Sequence, residues 1–419
     1  MSRPRSSRLA WLCLLSCAAF LVALSCPAIA QPRPGDVFKE YYWTNEGGDA
    51  DGTLRVGGKL DYGGGPIELP HDFDLEHATR AEVVVEKLLC HAGTRGLAIS
   101  VNGHEWITVP EADGIPEPQW NYQHHTYPNF RIPLRQLKAG TGNQFRMKVS
   151  TEHPWDWPQN LIYGVHFRIY YDAEQKPHPA GQLTSPSESA DLGTQVELQA
   201  ETSSPKGGVE RVDFLGRFKD VDLDSDGRYT EWHYHYHKGQ LAGHIGSAEK
   251  EPWRVRWDTK WVPDQPQPFR LAARVTDETG LTYFTEPVNG LTLRREDFSV
   301  ELCEPYEVPQ EWVTRSEEHE EKFRIDCDLD MVSAARLVWR SWSPGYMEGI
   351  YINGQEVFHR EGPRYASYVH RVPLADLSVL KRGENVLKTG KTPKYNGKTV
   401  HGMEVNWPGI MVLVRYRQQ

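Results

Sequence analysis

Residues 96–110 read GLAISVNGHEWITVP, with Asn-Gly at 102–103 between two short apolar runs. A similar stretch, GIYINGQEVFHRE, occupies residues 349–361 and has Asn-Gly at 353–354. Asn-Gly is the most favourable pair for a two-residue turn between antiparallel strands, because both turn residues adopt positive φ. Each stretch therefore predicts a β-hairpin, and the likeness between them predicts a duplicated unit.

The likeness continues after each hairpin. Residues 127–149, YPNFRIPLRQLKAGTGNQFRMKV, match residues 368–388, YVHRVPLADLSVLKRGENVLK. Both stretches contain Pro-Leu, a one-turn helical segment, a corner with Gly and Asn, and a further strand. Several matches in the same order favour duplication over chance, so we predict related modules at residues 36–176 and 296–419.

The rest of the chain also predicts strands rather than helices. Short runs rich in Val, Ile, Tyr, Phe and Trp alternate with Gly, Pro, Asn and Asp, as in GTQVELQAE (193–201) and GIMVLVRY (409–416). Strands at this spacing are typical of sandwiches and barrels. We therefore predict an all-β protein.

The repeated unit resembles the galactose-binding-like jelly roll, which occurs in the sugar-binding domains of many glycoside hydrolases. The resemblance rests on the order strand, Asn-Gly, strand, Pro-Leu-x-x-Leu, a corner with Gly and Asn, strand. Its carriers are Asn102, Gly103, Leu134, Leu137, Gly142 and Asn143, and in the second copy Asn353, Gly354, Leu374, Leu377, Gly383 and Asn385. The resemblance implies two jelly-roll β-sandwiches, but it says little about the ligand, because these residues build hairpins and corners.

The segment between the two copies, residues 177–295, is different. It resembles the bacterial immunoglobulin-like domains of secreted and cell-surface proteins, in stretches such as FRLAARVTDETGLTYF (269–284). It departs from them by an insertion rich in Asp and His at residues 216–239. The resemblance implies an immunoglobulin-like β-sandwich between the two jelly rolls.

The first thirty residues predict an export signal. Arg3, Arg5 and Arg8 precede an apolar run, and Ala28-Ile29-Ala30 predicts cleavage before residue 31. The alternatives are a membrane span and a lipoprotein acylated at Cys17 or Cys26. We expect a secreted, periplasmic or cell-surface protein that does not span the membrane.

The charge of the chain restricts its binding partners, and its cysteine content restricts its disulfides. The chain has 47 Lys+Arg against 57 Asp+Glu, and an acidic surface repels nucleic acid and polyanionic glycans. A neutral glycan is therefore the expected partner.

Export permits disulfides, and we predict a bridge between Cys303 and Cys327, which leaves Cys90 as a buried thiol.

The insertion contains the sequence DVDLDSDGRYTEWHYHYHKG. Oxygen ligands at alternate positions followed by Gly are what a hard cation requires from a short loop. The candidate calcium ligands are Asp220, Asp222, Asp224, Asp226 and Glu231. His233 occupies the twelfth position, where an EF-hand has Glu, so the loop resembles the D-x-D-x-D-G loops found outside EF-hands; a solvated acidic turn is the alternative.

His233, His235 and His237 follow this loop at alternate positions. On a strand they share one face, and imidazoles are ligands for zinc, copper or nickel. Strand geometry separates them by about 7 Å, so the three seldom converge on one ion. The alternative is an exposed histidine face with Tyr234 and Tyr236 packed beneath it.

Aromatic side chains in loop-like stretches are candidates for stacking on sugar rings, because they present flat apolar faces. They are Trp120, Tyr122, Tyr127, Trp155 and Trp157 in the first copy and Trp342, Tyr346, Tyr365 and Tyr368 in the second. Burial in the core is the competing interpretation for each of them.

These features predict a non-catalytic carbohydrate-binding protein. The sequence contains no G-x-S-x-G, H-E-x-x-H or nucleotide-binding motif, and three sandwiches leave no room for a catalytic barrel of about 250 residues. One alternative is a glycan-acting hydrolase or amidase, with Asp72, Asp74 and Glu356 as candidate carboxylates. Another is a structural or adhesive surface protein.

Overall fold

The computed structural model describes residues 31–45, 53–57, 65–89, 96–111, 124–150, 160–315 and 317–418. Its secondary structure consists of β-strands and short 3-10 helices, and none of the described residues lies in an α-helix. The predicted all-β fold class is confirmed. No helix of the described part is long and apolar enough to cross a membrane. The predicted signal peptide and Cys90 lie outside the described residues.

Within the described residues, the N-terminal sandwich has ten strands in two facing sheets. They are β1 (Val37–Thr44), β2 (Leu54–Val56), β3 (Ile67–Glu68), β4 (Ala78–Leu89), β5 (Ala98–Val101), β6 (Ile107–Thr108), β7 (His125–Thr126), β8 (Asn129–Ile132), β9 (Gln144–Lys148) and β10 (Asn160–Tyr171). One sheet has the order β1-β10-β4-β8, with β2 beside β10 and β7 beside β4; the other has the order β3-β9-β5-β6. Val83, Phe145 and Phe167 lie in the core between them.

The middle sandwich follows. Its strands are β11 (Ala180–Ser185), β12 (Asp191–Leu192), β13 (Gln195–Ser203), β14 (Val209–Lys219), β15 (Thr230–Trp232), β16 (His235–His237), β17 (Gln240–Ala242), β18 (Gly246–Ala248), β19 (Arg254–Asp258), β20 (Phe269–Asp277), β21 (Leu281–Phe284) and β22 (Val288–Leu293). The sheet β11-β13-β19 packs on the sheet that contains β14, β20 and β22. Leu198, Phe214 and Leu271 are fully buried between them.

The C-terminal sandwich contains the remaining strands. They are β23 (Phe298–Cys303), β24 (His319–Ile325), β25 (Val332–Trp342), β26 (Ile350–Ile352), β27 (Gln355–Phe358), β28 (Ser367–Pro373), β29 (Gly383–Thr389), β30 (Glu404–Val405) and β31 (Met411–Arg417). Their 3-10 helices are Leu329–Met331, Pro344–Tyr346 and Leu377–Val379. Trp312, Trp339 and Leu387 are fully buried in the core.

The two end sandwiches have the same strand order. The sheet β23-β31-β25-β28 corresponds to β1-β10-β4-β8, and β24-β29-β26-β27 corresponds to β3-β9-β5-β6. A 3-10 helix follows β8 at Leu134–Gln136, and another follows β28 at Leu377–Val379. The repeat in the sequence therefore coincides with a repeat in topology.

The paired asparagines of the repeat have equivalent contacts. Asn102 and Asn353 both adopt the left-handed conformation, with φ of 51°. Asn102 Nδ2 donates to Asn143 Oδ1 at 2.9 Å, and Asn353 Nδ2 donates to Asn385 Oδ1 at 2.8 Å. Each amide also donates to a carbonyl of the neighbouring 3-10 helix. The Asn-Gly turn thus anchors the next corner of the sandwich as well as reversing the chain.

Replacing Asn353 by alanine is expected to lower the free energy of unfolding by about 2–3 kcal/mol, because it removes the bonds that Asn353 Nδ2 donates to Asn385 Oδ1 and to the Val379 carbonyl. Asn396 provides a matched control, since it is exposed and has φ of 50°. Asn396→Ala should cost only the left-handed backbone term, about 1 kcal/mol. Urea denaturation of the full chain measures both, and equal losses would show that the amide contacts of Asn353 contribute nothing.

The three sandwiches contact one another. Strand β21 pairs with both β20 and β1, so one sheet runs from the middle sandwich into the N-terminal one. Leu88 and Tyr163 of the N-terminal sandwich pack on Trp342 of the C-terminal one. Leu223 of the insertion packs on the outer face of β25 and β31, against residues such as Val338. The insertion therefore lies where the three sandwiches meet.

Cys303 and Cys327 are free thiols rather than the predicted disulfide. Cys303 ends β23, whereas Cys327 follows β24, which belongs to the opposing sheet. The two strands are neighbours in sequence but not partners in a sheet, which is why sequence proximity was misleading. Burial raises the pKa of the Cys303 thiol, and this disfavours its reactive thiolate form.

Candidate functional site

The acidic part of the insertion forms a tight loop between β14 and β15. Carboxylate oxygens of Asp222, Asp224 and Asp226 lie within 4.8 Å of one another. Asp222 is buried and accepts backbone N–H bonds from Ser225 and Gly227 at 2.7 and 2.8 Å. Gly227 makes the expected bend with φ of 81°. These oxygens have the spacing and chemistry that a hard cation requires.

Electrostatics at this loop are unfavourable in the absence of a cation. Burial and the neighbouring carboxylates raise the pKa of Asp222 and of Glu231 on β15 well above their usual values. The same two causes raise the pKa of Asp226 to about 7, and burial raises the pKa of Asp220 and Asp224. One oxygen of Asp224 is buried without a hydrogen-bond partner among the described residues.

The three predicted histidine ligands contact three different partners. His233 Nε2 lies 2.7 Å from a carbonyl oxygen of β14. His235 Nε2 lies 2.6 Å from Arg340 of the C-terminal sandwich, and His237 Nδ1 lies 2.7 Å from Glu86 of the N-terminal sandwich. They do not converge on one point, and His235 is buried rather than exposed. The reason is that the β16–β17 hairpin packs into the junction of the three sandwiches.

Tyr234 and Tyr236 lie on the other face of this segment, as the alternative interpretation predicts. Tyr234 packs beside the apolar cluster that joins the N-terminal and middle sandwiches. Tyr236 donates a hydrogen bond to Glu40 at 2.6 Å and packs against Tyr42. Both tyrosines therefore help to hold the insertion in place.

Three of the predicted sugar-binding aromatics come together at one end of the C-terminal sandwich. The Tyr365 ring is 5.9 Å from that of Trp342 and 5.6 Å from that of Tyr346, nearly perpendicular to each. Trp342 and Tyr346 are buried, whereas Tyr365 is 44% exposed. We call these three side chains the aromatic edge. Two of them support the third, which presents its ring to solvent.

The backbone of the aromatic edge is strained. Tyr365 and Ser343 both adopt the left-handed conformation, with φ of 58° and 56°. Ser343 Oγ accepts a hydrogen bond from the Tyr365 backbone N–H at 2.9 Å, and Tyr346 Oη donates to Tyr365 Oη at 2.8 Å. Such a conformation costs about 1–3 kcal/mol for a bulky residue, and strain of this kind concentrates at binding sites.

A cavity of about 310 Å³ adjoins the aromatic edge. Its lining consists of Arg315, Lys391, Thr392, Pro393, Lys394, Thr399 and Val400. Thr392 Oγ1 donates to the backbone oxygen of Tyr346 at 2.8 Å, which joins the cavity wall to the aromatic edge. Three lining side chains are cationic, and none of the described residues that line it is acidic.

The remaining predicted aromatics are placed differently. Tyr127 lies in the junction, where its hydroxyl accepts a hydrogen bond from Arg340 at 2.6 Å. Trp120, Tyr122, Trp155 and Trp157 lie outside the described residues. Tyr368 of the predicted set is exposed, and the exposed or cavity-adjacent aromatics outside that set are Trp106 and Tyr395. The Asn396-Gly397 turn directly after Tyr395 is the sequence signal that could have identified it.

The candidate catalytic carboxylates lie in two different sandwiches. Asp72 and Asp74 belong to the N-terminal sandwich, where Asp74 forms an ion pair with Lys176 at 2.6 Å. Glu356 belongs to the C-terminal sandwich and contacts His359 at 2.9 Å. Glu356 is therefore separated from Asp72 and Asp74.

Comparison with known proteins gives loose similarities to β-sandwich structures. No family model and no curated protein matches the chain. The fibronectin(III)-like modules of Clostridium thermocellum CbhA align at 14% identity over 46% of this chain and 78% of that chain, with a TM-score of 0.19. The protein BuGH86 in complex with neoagarooctaose aligns at 12% identity over 58% of this chain and 35% of that one, with a TM-score of 0.24.

A beta-porphyranase of glycoside hydrolase family 86 from the human gut bacterium Bacteroides plebeius gives a similar result. It aligns at 11% identity over 59% of this chain and 38% of that one, with a TM-score of 0.23. The chain thus spans little more than a third of the length of the two family 86 structures. TM-scores of this size do not indicate a function for this chain.

Proposed function

We propose that this protein is a non-catalytic carbohydrate-binding protein that holds its glycan at the aromatic edge of the C-terminal sandwich. The observation that carries the proposal is the exposed, strained Tyr365 beside the cavity of Arg315, Lys391 and Lys394. An aromatic ring supplies a flat apolar face for a sugar ring. The cavity supplies donors for hydroxyl or acidic groups.

Rigidity supports a role in binding. Tyr365 is held by Trp342, Tyr346 and Ser343, so little conformational freedom is lost when a ligand stacks on it. Pre-organisation of this kind reduces the entropic cost of association. A tyrosine present only to fill the core would be buried, as Trp342 and Tyr346 are.

Local charge favours an acidic sugar in the cavity. The net charge of the chain predicts a neutral glycan, but the cavity wall carries three cations. Lys and Arg donate charge-assisted hydrogen bonds to carboxylates and sulfates. Salt screens charges that lie more than about 10 Å away, so these short-range contacts outweigh the net charge of the whole chain. We therefore infer that the bound glycan carries a uronate or sulfate group.

We also propose that the protein is exported and that its acidic loop binds calcium. The basic start, apolar run and Ala-x-Ala site support export to the cell surface, the periplasm or the medium. Calcium bound by Asp222, Asp224 and Asp226 would stabilise the insertion that packs on the C-terminal sandwich. Carbohydrate binding would then depend on calcium only indirectly, through the fold.

Replacing Tyr365 by alanine is expected to weaken glycan binding about tenfold or more, which corresponds to about 1.4 kcal/mol. Trp106→Ala is the matched control, because Trp106 is 42% exposed on the N-terminal sandwich. A glycan array that includes neutral, uronate and sulfated chains identifies the ligand, and titration calorimetry of the two variants locates it. Loss of binding in the Trp106 variant alone would contradict the proposed site.

A further inference from the structure

A buried carboxylate at the junction is shared by two histidines. Glu86 Oε1 lies 3.0 Å from His125 Nε2 and 2.7 Å from His237 Nδ1. One ligand atom from each of the three side chains lies within 4.8 Å of the other two. Glu86 and His125 come from β4 and β7 of the N-terminal sandwich, and His237 comes from the inserted hairpin. Two imidazoles and one carboxylate therefore face a common point.

The outer contacts of these side chains fix their orientation. Glu86 Oε2 accepts the Lys238 backbone N–H at 2.8 Å, which directs Oε1 toward the histidines. His125 Nδ1 lies 3.4 Å from Ser367 Oγ of the C-terminal sandwich. A metal-binding histidine generally uses its second nitrogen in this way, and ligating carboxylates are themselves hydrogen-bonded.

Solvent access and neighbouring charge also affect whether a metal ion can bind at this cluster. The His237 side chain is 37% exposed, which leaves a route from solvent to the buried Glu86. The guanidinium of Arg340 contacts Tyr127 and His235 nearby. Its positive charge opposes a bound cation, and an anionic group or hydroxide that completes the coordination of the ion would offset this repulsion.

We propose that Glu86 Oε1, His125 Nε2 and His237 Nδ1 bind a divalent transition-metal ion, with Zn²⁺ as the chemically matched case. Two histidines and one glutamate with an open position form an established type of zinc site. Zinc would join the N-terminal sandwich to the insertion, and Ser367 would connect this site to the C-terminal sandwich. The predicted histidine triplet contributes only His237, because His233 and His235 are directed elsewhere.

Cobalt titration of the full-length chain tests this proposal. The protein is stripped with EDTA and then held in excess Ca²⁺, which occupies the acidic loop, while Co²⁺ is added. We expect the visible absorption of a single bound Co²⁺ per chain, which Zn²⁺ then abolishes by competition. Absence of that absorption in the unmodified chain would overturn the proposal and leave a hydrogen-bonded cluster only.

Variants locate the ion. His237→Gln and Glu86→Gln each remove a ligand, so each should weaken Co²⁺ binding by at least the roughly 10- to 100-fold that loss of an outer hydrogen-bond partner costs. His359→Gln is the control, since His359 contacts a carboxylate on the exposed surface of the C-terminal sandwich. His237 is partly exposed, so its variant is expected to fold, and thermal melting checks this. Unchanged Co²⁺ affinity in folded His237→Gln would place the ion elsewhere and refute the assignment.

Discussion

Glu40→Gln is expected to reduce the free energy of unfolding by about 3–5 kcal/mol, the usual cost of breaking a buried ion pair from one side. Glu40 lies on β1, where it contacts Arg168 of the same sandwich at 2.7 Å and Arg274 of the middle sandwich at 2.6 Å. Both guanidinium groups are 2% exposed. An amide cannot balance two buried positive charges, so the variant removes the negative charge that both guanidinium groups share.

The position of Glu40 makes this loss specific for the contact between two sandwiches. Arg274 lies on β20 and Tyr236 lies in the insertion, and both bond to Glu40 Oε2. Arg168 retains a contact with Glu82 at 3.4 Å, so the uncompensated charge falls mainly on Arg274. We therefore expect the contact between the N-terminal and middle sandwiches to be lost first.

Differential scanning calorimetry with a matched variant tests this prediction. Glu105→Gln removes an ion pair with Arg135 of similar length, 2.7 Å, at an exposed position. Exposed pairs contribute little, so its midpoint should match that of the unmodified chain. A Glu40 variant as stable as the Glu105 variant would show that the buried network does not hold the sandwiches together.

Calcium removal is the second change with a large expected effect. Calcium at about 100 times its dissociation constant adds about 2.7 kcal/mol to the stability of a protein that binds it only when folded. For a chain of this size, such a gain corresponds to a rise of several degrees in the melting temperature. Chelation with EGTA should therefore lower the melting temperature by that amount at neutral pH.

The pH dependence follows from the raised pKa values at the loop. Asp226 has a pKa of about 7 in the folded protein, above its value of about 3.9 in an unfolded chain. Its contribution to stability is complete below pH 4 and is lost as the pH rises through 7. The ion-free protein should consequently become less stable from pH 4 to pH 7, and the benefit of calcium should grow over the same interval.

Asp226→Asn separates the two effects. In EGTA at pH 8 this variant should melt higher than the unmodified chain, because one repelling charge is gone. Addition of calcium should raise the melting temperature of the variant less than that of the unmodified chain, because one calcium ligand is missing. Asp297→Asn, at an exposed position, is the control. Equal melting temperatures with calcium and EGTA at pH 8 would rule out a stabilising ion at this loop.

The strands of this protein were predictable because their signals are local. The turns at Asn102 and Asn353 and the alternation around them depend on nearby residues, and the structure contains both hairpins. The disulfide prediction failed at Cys303 and Cys327 because sheet membership depends on the return path of the chain. Sequence proximity does not contain that information.

The candidate sites were predictable only in part for the same reason. Asp222, Asp224 and Asp226 form one short loop, so their proximity follows from the sequence. The meeting of Glu86 with His237 joins positions 151 residues apart in different sandwiches, and no local pattern indicates it. Residues drawn together by packing between sandwiches were therefore missed.

The aromatic edge shows an intermediate case. Tyr346 and Tyr365 are 19 residues apart, and the sequence identified both as aromatics in loops. It did not indicate that Tyr346 is buried as a support while Tyr365 is exposed. That difference depends on the left-handed backbone at Ser343 and Tyr365, which is unusual for such residues and has no sequence signature.

The crystal structure of the chain with a bound oligosaccharide is the most direct test of carbohydrate binding at the C-terminal sandwich. We predict a sugar ring stacked on Tyr365, with an acidic group of the neighbouring sugar directed at Lys391, Lys394 or Arg315. A sugar bound at Trp106 or on another face, with no sugar in contact with Tyr365, would contradict carbohydrate binding at the aromatic edge.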